Sequence, residues 1–277
     1  MELEITDFLL LILLGLLAGG SGGLLGIGGS LVMIPGMVLM FGADRQHLYQ
    51  AAAMIMNFFV VAPAVMRHWQ ARAVMRPIIR LTIPSAIVGA VAGVYVSELS
   101  VFSGGGQGYL QIGFSIFLLY VVGYNLWKLW ASKHRSPQEH HGKPRLSALL
   151  IVMLVGLPAG LVGGLLGIGG GLVAVPIQQV CLRIPLRNAI ANSATTILLS
   201  SVIGAAFKNY HLSDHGFPVG QSLLLAVCLI PSAMVGSWYT SARVHRWPVN
   251  VIRLAFIVLL SYCGSKVLLA GWAQAQP

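Results

Sequence analysis

Charge is what this sequence has least of. Only 9% of its 277 residues are Asp, Glu, Lys or Arg, and the acids number 7 against 17 bases. A soluble domain carries charge on about a quarter of its residues, so an ordinary soluble enzyme is excluded. The net charge of +10 then marks a membrane face rather than a nucleic-acid partner. The acids Glu2, Glu4, Asp7, Asp44, Glu98, Glu139 and Asp214 all fall at the ends of apolar runs or in loops. The runs themselves are left without a carboxylate to bind sodium or relay protons. Cysteine is scarce as well: Cys181, Cys228 and Cys263 are odd in number, widely spaced and inside or beside apolar runs. They read as packing residues, not as a disulfide framework or a metal site. A basic leader is missing too, since the chain opens Met-Glu-Leu-Glu, so the first apolar stretch is expected to be retained.

What is abundant is apolar length. Runs near 50–66, 77–97, 109–127, 188–207, 218–242 and 249–270 approach or exceed the roughly 20 residues that cross a hydrocarbon core as helix. Two more, 8–42 and 146–181, are too long for one straight helix, and each is interrupted by glycine. The composition predicts an all-α integral membrane protein of about eight transmembrane segments.

The interruptions are nearly identical: "GGLLGIGGSLVMIP" at 22–35 and "GGLLGIGGGLVAVP" at 163–176, an offset of 141. At the same offset Arg67-His68-Trp69 falls on Lys208-Asn209-Tyr210 and Gly123 on Gly264, and "IPSAIVGA" at 83–90 matches "IPSAMVGS" at 230–237. The chain reads as a duplication: a first transmembrane repeat over 1–131, a polar linker over 132–145 and a second repeat over 146–277. Transporters are often built this way, with substrate held between the copies near the bilayer midplane.

Basic residues indicate how the copies lie. If each glycine-broken element enters and returns to one face, every Lys and Arg except Arg45, Lys208 and Lys266 falls on the opposite face. The positive-inside rule then favours two inverted-topology repeats with re-entrant helices at their starts, a cytoplasmic linker and both termini outside the cytoplasm.

Glycine of this density is uncomfortable in a helix, at about 1 kcal/mol each against alanine. Non-helical backbone at membrane depth is tolerated only where it is buried in protein or lines a cavity. Gly26, Gly28, Gly29 with Ser30, and Gly167, Gly169, Gly170, Gly171, therefore mark an interior site. Their free N–H groups at the starts of short helices would hold an anion. Gly15, Gly19, Gly23, Gly160 and Gly164 instead have the small-xxx-small spacing of close helix packing. Polar residues inside the runs, Asn57 in the first copy and Asn192, Ser193, Thr195, Thr196, Ser200 and Ser201 in the second, supply neutral donors, although Ser and Thr also bond their own helix. Arg67, His68 and Lys208 are candidate residues for the two mouths, their alternative being interfacial snorkelling. His134, His140 and His141 read as a solvated tract of the linker. A dinucleotide fold is excluded because leucine takes the last glycine's place after Gly26 and Gly167.

The doubled "GLLGIGGSLVMIP" and "GLLGIGGGLVAVP", the "NSATT" run and "IPSAMVGS" resemble the sulfite exporter TauE/SafE family of bacterial membrane proteins over nearly the whole chain. The resemblance implies a multi-pass inner-membrane transporter of sulfur-containing anions such as sulfite or organosulfonates, an exporter and not an enzyme. It implies no cofactor; the partners are a small anion and membrane lipid, with a homodimer as one oligomeric possibility. The first copy departs from the pattern, with Met54 and Ile55 where the family usually carries hydroxyls, so a symmetric site is not expected. An anion channel of the same architecture is the alternative. A serine hydrolase built on Ser21 is disfavoured, because Ser21 aligns with Val162.

Overall fold

Inside hydrocarbon, a helix satisfies every backbone N–H and C=O within its own segment, and the described residues of this chain use nothing else to cross it. A computed structural model describes residues 5–25, 28–102, 106–134, 147–243 and 249–275, and among these no strand occurs. The linker beyond His134 and Gly26 lie outside the described residues. The first half comprises α1 (Ile5–Leu25), α2 (Ser30–Phe41), α3 (Gln46–Gln70), α4 (Arg76–Ser97) and α5 (Gln107–His134). The second comprises α6 (Ala148–Leu166), α7 (Gly171–Val180), α8 (Leu186–Tyr210), α9 (Val219–Arg243) and α10 (Val249–Ala275). Seven helices among the described residues, α1, α3, α4, α5, α6, α8 and α9, are long and apolar enough to cross a membrane; α2 and α7 are shorter. The chain is thus an all-helical integral membrane protein. Within α6, Ile151–Gly156 winds as a π-helix just before Pro158, whose missing N–H interrupts the regular ladder.

Helix pairs carry the packing. α1 lies on α9, α4 on α6, α3 on α8 and α5 on α10, while α3 also meets α9 and α4 meets α8. Exchanging the two halves leaves this set of pairs unchanged. Small residues are the reason the backbones come so close. A Cβ on Gly15 would strike Ser232, one on Gly19 the carbonyl of Ala233, and one on Gly23 the backbone of Ser237. In the other pair, Gly156 faces Ser85, Gly160 the carbonyl of Ala86 and Gly164 that of Ala90. These are the same contacts made twice, by "IPSAIVGA" against α6 and by "IPSAMVGS" against α1. Their order also shows that α1 runs parallel to α9, and α6 parallel to α4. The spacing of Gly15, Gly19, Gly23, Gly160 and Gly164 is a packing stripe, as its period indicates. Thr240 tightens one pair by donating to the carbonyl of Gly20 at 3.0 Å.

Two ends of the bundle can be told apart. At one, the start of α3 meets the ends of α4 and α8, through His47, Glu98 and Lys208. At the other, the start of α4 meets the first turns of α8: Met75 N–H donates to Asn192 Oδ1 at 2.8 Å, and Asn188 Nδ2 donates to the carbonyl of Ala73 at 2.8 Å. Cys181, Cys228 and Cys263 are free thiols at packed positions.

The glycine stripe makes a direct forecast. Gly19→Val and Gly160→Val should each lower the thermal midpoint in detergent, at a cost of about 1–3 kcal/mol or more from overpacking. Gly113→Ala and Gly123→Ala, where an added Cβ meets nothing within 4 Å, should be neutral or mildly stabilising. Equal effects at all four positions would contradict the packing assignment.

Candidate functional site

The two glycine breaks end in different ways. In the first half Asn57, on α3, reaches the start of α2. Its Oδ1 accepts from Gly29 N–H at 3.0 Å and from Ser30 N–H at 3.3 Å, and its Nδ2 donates to Ser30 Oγ at 3.1 Å. A carboxamide oxygen therefore occupies the place an anion would take at that helix end. Gly28, at φ +84°, passes so near that a Cβ would touch Asn57 Oδ1. In the second half the residue 141 positions on from Asn57 is Leu198. Among the described residues no side chain caps α7, which starts from Gly170 in the left-handed conformation at φ +71°. Gly169 is left-handed as well, and a Cβ there would lie 3.3 Å from Asn57 Nδ2. The capped end of one half and the open end of the other thus adjoin, with Asn57 between them.

Next to the open end is a cavity of about 10 Å³, room for about one water-sized probe. Met54 and Ala90 of the first half and Gly163, Gly169, Ser200 and Ser201 of the second line it. Sequence reading expected Asn192, Ser193, Thr195 and Thr196 at the ligand. Asn192 instead ties α8 to Met75 and donates to Gln178 Oε1 at 3.1 Å. Thr195 and Thr196 bond the carbonyls of Ala191 and Asn192, and Thr196 also meets Thr82 Oγ1 at 3.1 Å. Ser193 lies nearest the break, its Oγ 3.5 Å from the carbonyl of Gly171. Gly171 is buried as the first residue of α7.

The candidate mouth residues divide. Arg67 is half-buried, with its guanidinium 4.7 Å from the centre of the Trp238 ring, and His68 is half-buried beside it at the end of α3. Just beyond, Trp69, Arg72, Val74 and Arg76 line an open vestibule of about 440 Å³, a basic mouth whose arginines come from the turn after α3 and the first residue of α4. Sequence reading counted Arg72 and Arg76 among the basic face but did not single them out. Lys208 is not a mouth residue. It is 1% exposed, and its Nζ donates to Glu98 Oε1 at 2.6 Å, Ser97 Oγ at 2.8 Å and His47 Nδ1 at 2.7 Å. His215 Nε2 hydrogen-bonds the other Glu98 oxygen. A position just past a helix end thus proves buried here. Glu98 lies just past the end of α4, as the sequence places it, but its side chain is only 10% exposed there. Burial alone would raise the Glu98 pKa, but His215 and Lys208 outweigh it and hold the carboxyl at about 2.

The sequence profile described as Sulfite exporter TauE/SafE matches residues 11–267. The chain belongs to the TauE/SafE family. Among curated relatives of this TauE/SafE protein, "Probable membrane transporter protein YunE" of Bacillus subtilis is 25% identical, over 96% of this chain and 98% of its own length. "Probable membrane transporter protein MamO" of Paramagnetospirillum magneticum is 26% identical over 96% of this chain but 45% of its own length, so the chain spans about half of that relative. No solved structure matches. Family and apolar helices together make this a multi-pass membrane protein.

The Asn57 contacts predict an order of effects. Asn57→Leu strands two buried N–H groups, each worth about 1–3 kcal/mol, whereas Ser30→Ala removes only one acceptor. The thermal midpoint should fall clearly more for Asn57→Leu; a larger loss for Ser30→Ala would contradict the cap.

Proposed function

We propose that this TauE/SafE protein exports small sulfur-containing anions, sulfite or an organosulfonate, and that the anion binds at the uncapped start of α7 beside Asn57. The observation that carries this reading is the unequal pair of helix ends. Buried N–H groups at a helix start are costly in a membrane unless something accepts from them. Asn57 answers that need at α2, and an anion would answer it at α7. Ser200 and Ser201, whose hydroxyls make long bonds to the carbonyls of Ile197 and Leu198 at 3.5 and 3.3 Å and would turn to a ligand, and the second N–H of Asn57 are neutral donors that would bind it without trapping it. The basic vestibule at Arg72 and Arg76 would gather anions for that site.

Inverted repeats are supported by the helix directions. α1 starts at the Glu98 end with α9, and α2 leads back to that same end through the start of α3. α6 starts at the Met75 end with α4, and α7 leads back there through the start of α8. Each glycine-broken element thus returns to the face it entered from, and the two use opposite faces. The arginine-rich Met75 end is then cytoplasmic and both termini lie outside, in the inner membrane of a bacterium. A carrier is favoured over a channel because both ends of the interface between the halves are closed, over a cavity of about 10 Å³. The inside-negative potential, at about 2.3 kcal/mol per charge per 100 mV, would drive export.

Flux from proteoliposomes tests this reading. Sulfite or sulfonate efflux should saturate, accelerate under an inside-negative potential, and fall at least tenfold in Ser200→Val/Ser201→Val. In Arg72→Gln/Arg76→Gln, half-saturation should rise several-fold and lose salt dependence. Absence of flux for the whole panel of sulfite, thiosulfate, sulfate and sulfonates would sink the anion assignment.

A further inference from the structure

The reading above has no use for four titratable groups buried together at the Glu98 end. His47 comes from the start of α3 and Glu98 from the end of α4; Lys208 comes from the end of α8 and His215 from the turn Leu212–His215 that follows it. Two belong to each half. Their hydrogen bonds fix their protons. An ammonium only donates, so His47 Nδ1 accepts from Lys208. His47 then carries its proton on Nε2 and donates it to the carbonyl of Phe102 at 3.0 Å. The His47 and His215 rings are stacked, with centroids 3.7 Å apart and planes within 10°. With Lys208 positive and Glu98 negative, the two charges offset one another, and His47, accepting at Nδ1 and donating at Nε2, is neutral. Nearby charges turn elsewhere: Arg45 pairs with Asp44, and His211 bonds the carbonyl of Phe207.

A metal does not fit this arrangement. His47, Glu98 and His215 offer ligand atoms within 4.8 Å of one another. An ion shared by two parallel imidazoles, however, would lie well outside both ring planes, and it would meet the Lys208 ammonium. The remaining ligand for such a group is a proton.

We propose that His47, Glu98, Lys208 and His215 form a proton-binding latch between the two halves, and that acid on that face opens it. A proton added to the closed cluster puts a net positive charge in a buried site and displaces Lys208 from His47 Nδ1. Once the halves part and water enters, Lys208 no longer occupies His47 Nδ1, and a solvated imidazole takes up a proton as pH falls from about 8 to 5. The open form therefore binds more protons than the closed one, and falling pH shifts the balance toward it. Glu98 stays ionised through that window, because its carboxyl is held at about 2. The opposite end of the interface is closed by Asn188, Asn192, Thr82 and Thr196, which do not titrate. Of the hydrogen-bonded groups that close the two ends, only those at the Glu98 end titrate, on the face assigned above to the outside; His68, half-buried near Arg187 at the other end, takes no part in the closing contacts.

The proposal rests on the two halves being the moving parts of a transporter, and its test uses no substrate, so it stands or falls separately from the anion assignment. Spin labels at exposed Val101 and Ser213, beside the latch on either half, report their separation in purified protein whose native cysteines are replaced by alanine. Between pH 8 and pH 5 the distance distribution should shift to longer values, and return on neutralisation. His215→Gln keeps a donor for Glu98 but cannot titrate; it should reduce the shift, and His47→Gln/His215→Gln should abolish it. Glu98→Gln, which leaves Lys208 unpaired, should give the long distance at both pH values. An unchanged distribution in the unsubstituted latch overturns the proposal, as does a full shift in His215→Gln or in the double variant.

Discussion

Every feature of this protein follows from one constraint: a backbone N–H or C=O at membrane depth has no water to turn to. Two glycine breaks put helix ends inside the bundle, and the structure must answer for them. Asn57 does so at α2 with a single carboxamide. At α7 no side chain among the described residues does, and Gly169 and Gly170, both left-handed, let the chain turn there. On the proposed reading, the difference between two nearly identical phrases leaves one helix end for an anion rather than two.

Around those breaks, the halves are held by contact rather than by charge. Glycines of α1 and α6 let α9 and α4 come in until backbone meets backbone, and the same residues do it in each pair. Such interfaces gain from packing at close range and have little polar content to disrupt. They leave the polar contacts to the two ends, where α8 is tied to α4 by neutral amides and hydroxyls at its start and by an ion pair at its end. A long central helix fastened differently at its two ends suits a transporter in which one end opens at a time.

Much of this was legible in the sequence, and the parts that were not share a reason. Glycine density located the breaks because few other residues tolerate that backbone, and the four-residue spacing of Gly15, Gly19 and Gly23 identified the stripe that meets α9. Helix ends were legible; their burial was not. Lys208 and Arg67 share an offset in the repeat, yet one is sealed among Glu98, Ser97 and His47 while the other lies over Trp238. Nothing local distinguishes them, because the groups that bury Lys208 are more than 100 residues away in the chain. Asn57 was legible as a polar residue out of place, but its partner, the Gly29 amide, was not, since 28 residues separate them. In the run at 192–196 the hydroxyls of Thr195 and Thr196 satisfy themselves on the turn below, which their residue type does not reveal in advance.

The central claim is that the two glycine-broken elements enter from opposite faces of the membrane. Single cysteines at Asp44, after α2, and at Arg183, after α7, occupy equivalent loops of the two halves. Labelling of intact cells with a membrane-impermeant thiol reagent should modify the cysteine at Asp44 and spare the one at Arg183 until the membrane is opened. Labelling of both positions from the same side would contradict the account.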